Sequence, residues 1–134
     1  MDELAISEAQ LKASISDYLQ FLQNLGRLIF LRLNAGSFIL TDKDGNFRRR
    51  VQGAKAGTAD YIVILKVLIP AYPTHVAVEA LRVIFLELKS TKGRQTPEQK
   101  EFQEMVEAQG CGYRIIRSLE ELQEIIPITE RRLE

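Results

Sequence analysis

The chain has 134 residues, of which 46% are hydrophobic and 27% charged, and its 18 basic residues balance its 18 acidic ones. This length and composition are typical of one globular domain over residues 1–134, large enough to hold a core without disulfides. The single cysteine, Cys111, excludes an internal disulfide and a multi-cysteine zinc site and fits a reducing compartment. We therefore expect a cytoplasmic protein with no signal peptide and no membrane contact.

Positive charge is concentrated in two stretches although the total is zero. Between positions 43 and 55 five basic residues stand against one acid, and between positions 89 and 100 four stand against one. Such clusters can contact nucleic-acid phosphates through local cations, and solvated turns are the alternative. The side chains that we expect to contact DNA are Arg48, Arg49, Arg50, Lys55, Lys92 and Arg94.

The first predicted element is an amphipathic helix. Ser7 and Gln10 have capping-box spacing, and apolar residues then recur at helical intervals as far as Gly26. Glu8 falls on the apolar stripe of this helix, so we expect its carboxylate to point toward the core.

Strands follow the first helix. Residues 27–33 are rich in large apolar side chains, and residues 38–40 begin a strand that a turn over residues 42–46 reverses. Residues 61–65 are β-branched and apolar on both faces, which is typical of a strand inside a sheet. Residues 69–75, with two prolines, are predicted to form a loop.

The second half of the chain alternates strands with helices. Residues 81–89 are predicted to form a central strand that ends in charged residues, and Thr96, followed by a proline and Gln99, opens a helix. Residues 113–117 form a last strand, and residues 118–127 hold a short final helix. The core order is therefore one helix, three strands, a helix, a strand and a final helix.

Glu87 and Lys89 are the most informative pair of polar residues. Alternate residues of a strand share a face, so both side chains point to one side while the intervening leucine packs on the other. Asp60 precedes the neighbouring buried strand and can reach Glu87 if the two strands pair. Two carboxylates beside a lysine suit a magnesium or manganese ion, whereas an exposed salt bridge at a strand end is the alternative.

Gln99 and His75 are two further polar residues for which simpler roles are possible. Gln99 lies in the first turn of its helix, either as a capping residue alone or with its amide toward the sheet. His75, the only histidine, has no cysteine, serine or acidic motif near it, and we expect it to take no part in chemistry. Neither a Walker loop nor a dinucleotide-binding glycine pattern is present, so we expect no nucleotide cofactor.

Three short motifs stand in a fixed order along the chain: GTAD at residues 57–60, ELK at residues 87–89 and TPEQ at residues 96–99. On a turn, a strand and a helix, they resemble the PD-(D/E)XK nuclease superfamily, and more narrowly the virus-type replication-repair nuclease (VRR-NUC) domain of the stand-alone phage and bacterial type. The resemblance implies an α/β fold with a restriction-endonuclease-like αβββαβ core over about residues 7–126, a mixed sheet and a short C-terminal helix.

The resemblance also implies the roles of the site residues. Asp60, Glu87 and the backbone carbonyl of Leu88 would bind Mg²⁺, with Mn²⁺ able to substitute. Lys89 would orient the attacking water or take its proton, and Gln99 would support the site. The implied activity is metal-dependent hydrolysis of DNA phosphodiester bonds, selective for branched DNA such as four-way junctions, in the bacterial cytoplasm or in that of a phage host.

Three further expectations accompany the resemblance. Glu8 matches the acid of the family's first helix and is a possible metal ligand, directly or through water. The stand-alone relatives are homodimers, which favours a homodimer here. The stretch over residues 66–80 is longer and more apolar than a tight hairpin needs, so residues 67–78 and the final helix are candidate interfaces.

Two other classes of function remain open at this point. One is a nucleic-acid-binding module that keeps the nuclease fold without catalysis. The other is a structural protein in which Asp60, Glu87 and Lys89 form only an ion-pair network.

Overall fold

The computed structural model describes residues 6–35, 37–74 and 76–128. Its elements are α1 (Glu8–Asn24), β1 (Ile29–Arg32), β2 (Ser37–Thr41), β3 (Phe47–Gln52), β4 (Tyr61–Ala71), β5 (Val76–Leu88), α2 (Pro97–Ala108), β6 (Gly112–Ile116) and α3 (Leu119–Ile125). The helices and the mixed sheet confirm the predicted α/β class. None of the helices in these described ranges has the length and apolar content that a membrane crossing requires.

The main sheet has four strands in the order β1-β4-β5-β6. β1, β4 and β5 are antiparallel neighbours, whereas β6 joins β5 in parallel after the chain crosses over through α2. The start of β4 lies between two neighbours, and Tyr61 and Val63 are fully buried there. The prediction of an internal strand at residues 61–65 is therefore confirmed.

Helix boundaries follow the capping signals of the sequence. Ser7 and Gln10 form a capping box at the start of α1, and Thr96 and Gln99 form a second at the start of α2. α1 ends just before Gly26, whose positive φ of 75° turns the chain out of the helix. The three predicted helices are confirmed.

Two apolar layers hold the sheet. On one face α1 and α3 pack on the central strands through Leu11, Ile15, Tyr18, Leu19, Leu22, Leu28, Tyr61, Val63, Ile84, Leu86, Leu88, Ile116, Leu122 and Ile126. On the other face α2 packs near β6, where Phe102 meets Phe85 edge to face with ring centroids 5.1 Å apart. This packing sets the N-terminal turn of α2 beside the C-terminal end of β5.

The predicted loop at residues 69–75 is wrong at residues 69–71, which belong to β4, whereas residues 72–74 do form a turn. β4 continues to Ala71 and β5 begins at Val76, so the two strands form a long ribbon beyond the rest of the sheet. Pro70 is compatible with a strand here because β1 pairs with β4 only as far as Ile64, and beyond it no other strand in the described ranges pairs with that edge. His75 lies outside the described residues.

The basic run at residues 48–50 lies on a strand rather than in a turn. β2 and β3 form a separate two-stranded sheet, and no other described helix or strand packs against it. At its base the amide of Ala54 donates to the carbonyl of Asn34 at 2.6 Å. At its tip the carboxylate of Asp42 accepts from the amides of Asp44 and Asn46, both at 2.9 Å.

Candidate active site

Asp60 is held at the edge of the main sheet by its own backbone. Its amide donates to the carbonyl of Leu86 at 3.0 Å, and its carbonyl accepts from the amide of Leu33 at 2.8 Å. Its side chain then accepts from the amide of Leu88 through Oδ2 at 2.7 Å. These contacts with both neighbouring strands fix the Asp60 carboxylate beside the last residues of β5.

The loop before Asp60 lies very close to α2. Gly57 has a φ of 92°, and a Cβ built on it would stand 2.6 Å from the carbonyl oxygen of Glu98. Only glycine adopts this φ readily and also lets the backbone of Glu98 come this close. The glycine of the GTAD motif therefore brings the Asp60 loop against the helix turn that carries Gln99.

Glu87 lies directly across the ladder from Asp60. Tyr61 pairs with Leu86, so the next residue on β5 faces the residue before β4. Glu87 is 4% exposed, and it is the one charged residue among the buried residues of the described chain. One of its oxygens, Oε2, is buried with no hydrogen-bond partner among the described residues.

The other carboxylate oxygen of Glu87 has two neighbours. Gln99 Nε2 donates to Glu87 Oε1 at 2.8 Å, and Lys89 Nζ lies 3.7 Å from the same atom. The side chain of Lys89 is only 16% exposed, so the pair is not the exposed salt bridge that was the alternative. Glu87 and Lys89 share a face, as predicted.

Gln99 performs both roles that the sequence left open. Its Oε1 accepts from the amide of Thr96 at 2.9 Å and completes the capping box, while its Nε2 reaches Glu87. A primary amide has an acceptor and two donors, so one side chain can close the helix and bind the carboxylate.

Burial and a like charge control the protonation of Glu87. Loss of solvent raises the pKa of Glu87 most, the neighbouring charge of Asp60 raises it further, and Lys89 lowers it, so that the pKa stands at about 7. A carboxyl with this pKa is substantially protonated at neutral pH unless another positive charge joins it. The site therefore gains from a cation that supplies this charge.

The donor set fits a hard divalent cation. Two carboxylates converge at one point, and no residue in the described part of the chain hydrogen-bonds Glu87 Oε2 there. No group of three or more histidine, cysteine or acidic residues forms a metal site within the described ranges, so further ligands would come from the backbone and from water. Mg²⁺ commonly keeps several waters and uses one or two carboxylates, which this site provides.

Glu8 does not point toward the core, so that prediction is wrong. It is the first residue of α1 and its side chain is exposed, whereas the buried stripe of the helix begins at Leu11. An acid in the first turn of a helix interacts favourably with the helix dipole at the surface and needs no buried partner.

The predicted DNA-contacting side chains are all exposed, but they lie on different elements. Arg48, Arg49 and Arg50 are on β3, while Lys55, Lys92 and Arg94 are on the loops before β4 and before α2. Arg48 has no register partner in β2, because Leu40 pairs with Arg49 and Thr41 with Phe47. Lys55 lies in the loop that ends at Asp60. Lys92 and Arg94 lie in the loop that leads into α2, the helix of Gln99.

Sequence reasoning missed a polar network beside the site. Gln95 Nε2 donates to Gln103 Oε1 at 2.8 Å and to the hydroxyl of Tyr113 at 3.2 Å. Burial raises the pKa of Tyr113 most, the hydrogen bond with Gln95 lowers it, and the charges of Glu87, Asp60 and Glu107 raise it. No local signal in the sequence indicates this network, because its members lie on a loop, on α2 and on β6.

No family model matches this chain, and neither a curated protein nor a solved structure matches it. The function is therefore argued from the geometry of the site.

Proposed function

We propose that the chain is a divalent-metal-dependent endonuclease that hydrolyses DNA phosphodiester bonds, with branched DNA such as four-way junctions as its substrate. The observation that carries the proposal is the convergence of Asp60, Glu87, Lys89 and Gln99 at one edge of the sheet, where a buried carboxylate oxygen has no hydrogen-bond partner among the described residues. A buried carboxylate next to a second, half-buried carboxylate and a lysine is costly for stability alone, and a bound cation would offset that cost.

The topology supports the proposal. Around the main sheet the chain runs α1, β1, β4, β5, α2, β6, and β2 and β3 stand outside this sheet as an insertion. This is the αβββαβ order that the VRR-NUC resemblance implies for a PD-(D/E)XK nuclease core. The three motifs fall on the loop, strand and helix that the resemblance requires.

The residues would divide the work as follows. Asp60, Glu87 and the carbonyl of Leu88 would hold Mg²⁺ or Mn²⁺, and this cation would polarise a phosphate oxygen and lower the pKa of a water. Lys89 would orient the attacking water or accept its proton. Gln99 would fix the rotamer of Glu87, and the six exposed basic residues would bind DNA phosphates without reading bases. Cutting both strands of a junction takes two sites, which favours a homodimer. We place this activity in the cytoplasm.

The decisive experiment measures cleavage of labelled four-way, flap and linear DNA with Mg²⁺, with Mn²⁺ and with EDTA. We expect metal-dependent nicking that Asp60→Asn, Glu87→Gln and Lys89→Ala each reduce by roughly 100-fold or more, because each removes a ligand or the group that handles the water proton. Glu104→Gln, an exposed acid of α2, is the matched control and should cleave normally.

Other outcomes would favour the other two classes. DNA binding that these changes leave intact, with no product under any metal, would identify a binding module. If Glu87→Gln altered only folding and the wild-type chain bound no nucleic acid, the residues would be a structural ion-pair network.

A further inference from the structure

The β2–β3 hairpin has an exposed apolar surface of its own. Ile39 pairs with Arg50 and Thr41 with Phe47, and directly paired residues of an antiparallel ladder lie on the same face. Ile39 and Thr41 are two residues apart on β2, so all four side chains share one face, which we call the hairpin face. Ile39 is 57% exposed there and Phe47 is 66% exposed.

Phe47 takes no part in the packing of the fold. No described helix or strand other than β2 packs on β3, and Phe47 stacks on no other aromatic ring in the described part of the chain. A two-stranded hairpin has no second layer against which to bury such a ring. A large, flat apolar side chain is therefore accessible to a ligand.

Three arginines follow this ring along β3. Arg48 comes directly after Phe47, where the register with β2 shifts, and Arg50 lies on the hairpin face itself. An open groove of about 540 Å³ beside this shift is lined by Leu40, Thr41, Arg48 and Arg49. Guanidinium groups bind phosphate in a bidentate manner, and an aromatic ring stacks on a base. The ring and the groove together offer contacts to both parts of a nucleotide.

The charge of the hairpin favours nucleic acid over other occupants. A second copy of the chain would bring two sets of three arginines together, and like charges across an interface are unfavourable. An anionic membrane would meet the tip of the hairpin first, where Asp42 and Asp44 lie. Nucleic acid supplies phosphates for the arginines and flat bases for the ring, whatever the base sequence.

Stacking on Phe47 requires a base that is not already stacked on both sides. In a continuous duplex every base is covered by its neighbours, and exposing one costs free energy. We propose that the hairpin face binds single-stranded DNA, with Phe47 stacked on an unpaired base and Arg48, Arg49 and Arg50 on the flanking phosphates. The inference rests on the proposed function only for the class of ligand, DNA, and it requires no catalysis.

The first test compares single-stranded and duplex DNA in EDTA. Fluorescence anisotropy measures the binding of the full chain to a labelled oligonucleotide of about 15 nucleotides and to the duplex of the same sequence. We expect Phe47→Ala to weaken single-strand binding by about 5-fold or more and to leave duplex binding nearly unchanged. Phe47→Leu should lose a similar amount, because leucine keeps an apolar side chain without a ring.

The matched control is Phe21→Ala. Phe21 is 49% exposed on α1, outside the hairpin, and its removal should leave both affinities unchanged. Circular dichroism verifies that the variants fold. The inference is overturned if Phe47→Leu binds single strands like the wild type, or if Phe47→Ala weakens both ligands equally or neither.

A spectroscopic test reports stacking without relying on a loss of affinity. The chain contains no tryptophan, so Phe47→Trp introduces a single one at the position in question. The single-stranded oligonucleotide should quench its emission and retain wild-type affinity or better, since a larger ring stacks more strongly, whereas Phe21→Trp should stay unquenched.

Emission of Phe47→Trp that the oligonucleotide leaves unchanged overturns the inference, and a blue shift only on phosphatidylserine vesicles would assign the hairpin face to a membrane instead. Quenching in a chain that shows no metal-dependent nicking retains this inference and rejects the nuclease. Nicking without quenching rejects this inference and retains the nuclease.

Discussion

Glu87 links the chemistry of the site to the stability of the fold. Its carboxyl is buried on β5, accepts a hydrogen bond from Gln99 and forms an ion pair with Lys89, and its other oxygen has no hydrogen-bond partner within residues 6–35, 37–74 and 76–128. These contacts do not fully replace water, which is why burial raises the pKa of Glu87 from 4.5 to about 7. The residue therefore makes folding depend on pH.

Stability should fall as pH rises through this range. Between pH 4.5 and about 7 the folded chain holds a proton on Glu87 that the unfolded chain releases, so the free energy of unfolding decreases with rising pH. Allowing for solvent screening, we expect a loss of about 2 kcal/mol between pH 5 and pH 8 in EDTA. Urea unfolding of the wild type and of Glu87→Gln measures it, and identical pH profiles would contradict the assignment.

Gln99 can be separated from its capping role by comparison with Thr96. Gln99→Ala and Thr96→Ala both break the capping box, and each should lower the free energy of unfolding by about 1 kcal/mol. Only Gln99→Ala removes the hydrogen bond to Glu87, so only this variant should weaken Mg²⁺ binding, by about 10-fold or more. Isothermal titration with Mg²⁺ measures the difference. Equal metal affinities in the two variants would limit Gln99 to capping.

At the scale of elements, the contact between the Asp60 loop and α2 depends on Gly57. Gly57→Ala adds a Cβ 2.6 Å from the backbone of Glu98, and Gly110→Ala has a similar φ of 88° with nothing within 4 Å of the new Cβ. We expect about 1 kcal/mol of destabilisation at Gly110 and at least twice that at Gly57. Urea unfolding compares the two variants. Equal losses would show that only the backbone conformation matters.

The β2–β3 hairpin should act as a phosphate-binding arm. Its three consecutive arginines have no acidic partner within 4 Å among the described residues. Replacing Arg48, Arg49 and Arg50 by alanine should reduce the slope of log affinity against log salt by about 2 to 3, since roughly one counterion is released per phosphate contact. Fluorescence anisotropy in EDTA measures this slope without cleavage.

The control variant for the hairpin removes the same number of positive charges from elsewhere in the chain. Lys12, Arg82 and Arg114 are basic residues outside the two clusters, and their triple alanine variant should keep the wild-type slope. If both triple variants lowered the slope equally, overall charge rather than the hairpin would govern binding.

At the scale of the whole molecule, metal binding should stabilise the fold. A cation that binds only the folded chain raises stability by about 2.7 kcal/mol at 100 times its Kd. We expect Mg²⁺ and Mn²⁺ to raise the thermal midpoint of the wild type at pH 8, and Asp60→Asn to lose this response. An equal response of both chains would place the bound metal elsewhere.

The sequence was sufficient where local rules decide the structure. Capping boxes marked the starts of α1 and α2, and strand alternation placed Glu87 and Lys89 on one face. The approach of Asp60 to Glu87 required only that two buried strands be neighbours, which their apolar composition favoured.

The sequence was not sufficient where unpaired strand edges, or contacts between residues far apart in the chain, determine the structure. Pro70 indicated a loop because a proline disrupts an internal strand, yet none of the described strands pairs with that edge of the ribbon. Glu8 fitted an apolar stripe by spacing, yet the stripe starts one turn later. The bonds of Gln95 join a loop, α2 and β6, and no local pattern encodes such contacts.

The backbone contact between Asn34 and Ala54 has a consequence for how this chain can be altered. The chain leaves the main-sheet body after Asn34 and returns to it at Ala54, whose amide nitrogen lies 2.6 Å from the carbonyl oxygen of Asn34, and β2 and β3 lie between these two residues. Such a segment is a natural position for grafting, since a short glycine bridge could replace it, or a foreign peptide could be carried on it, without shifting the body.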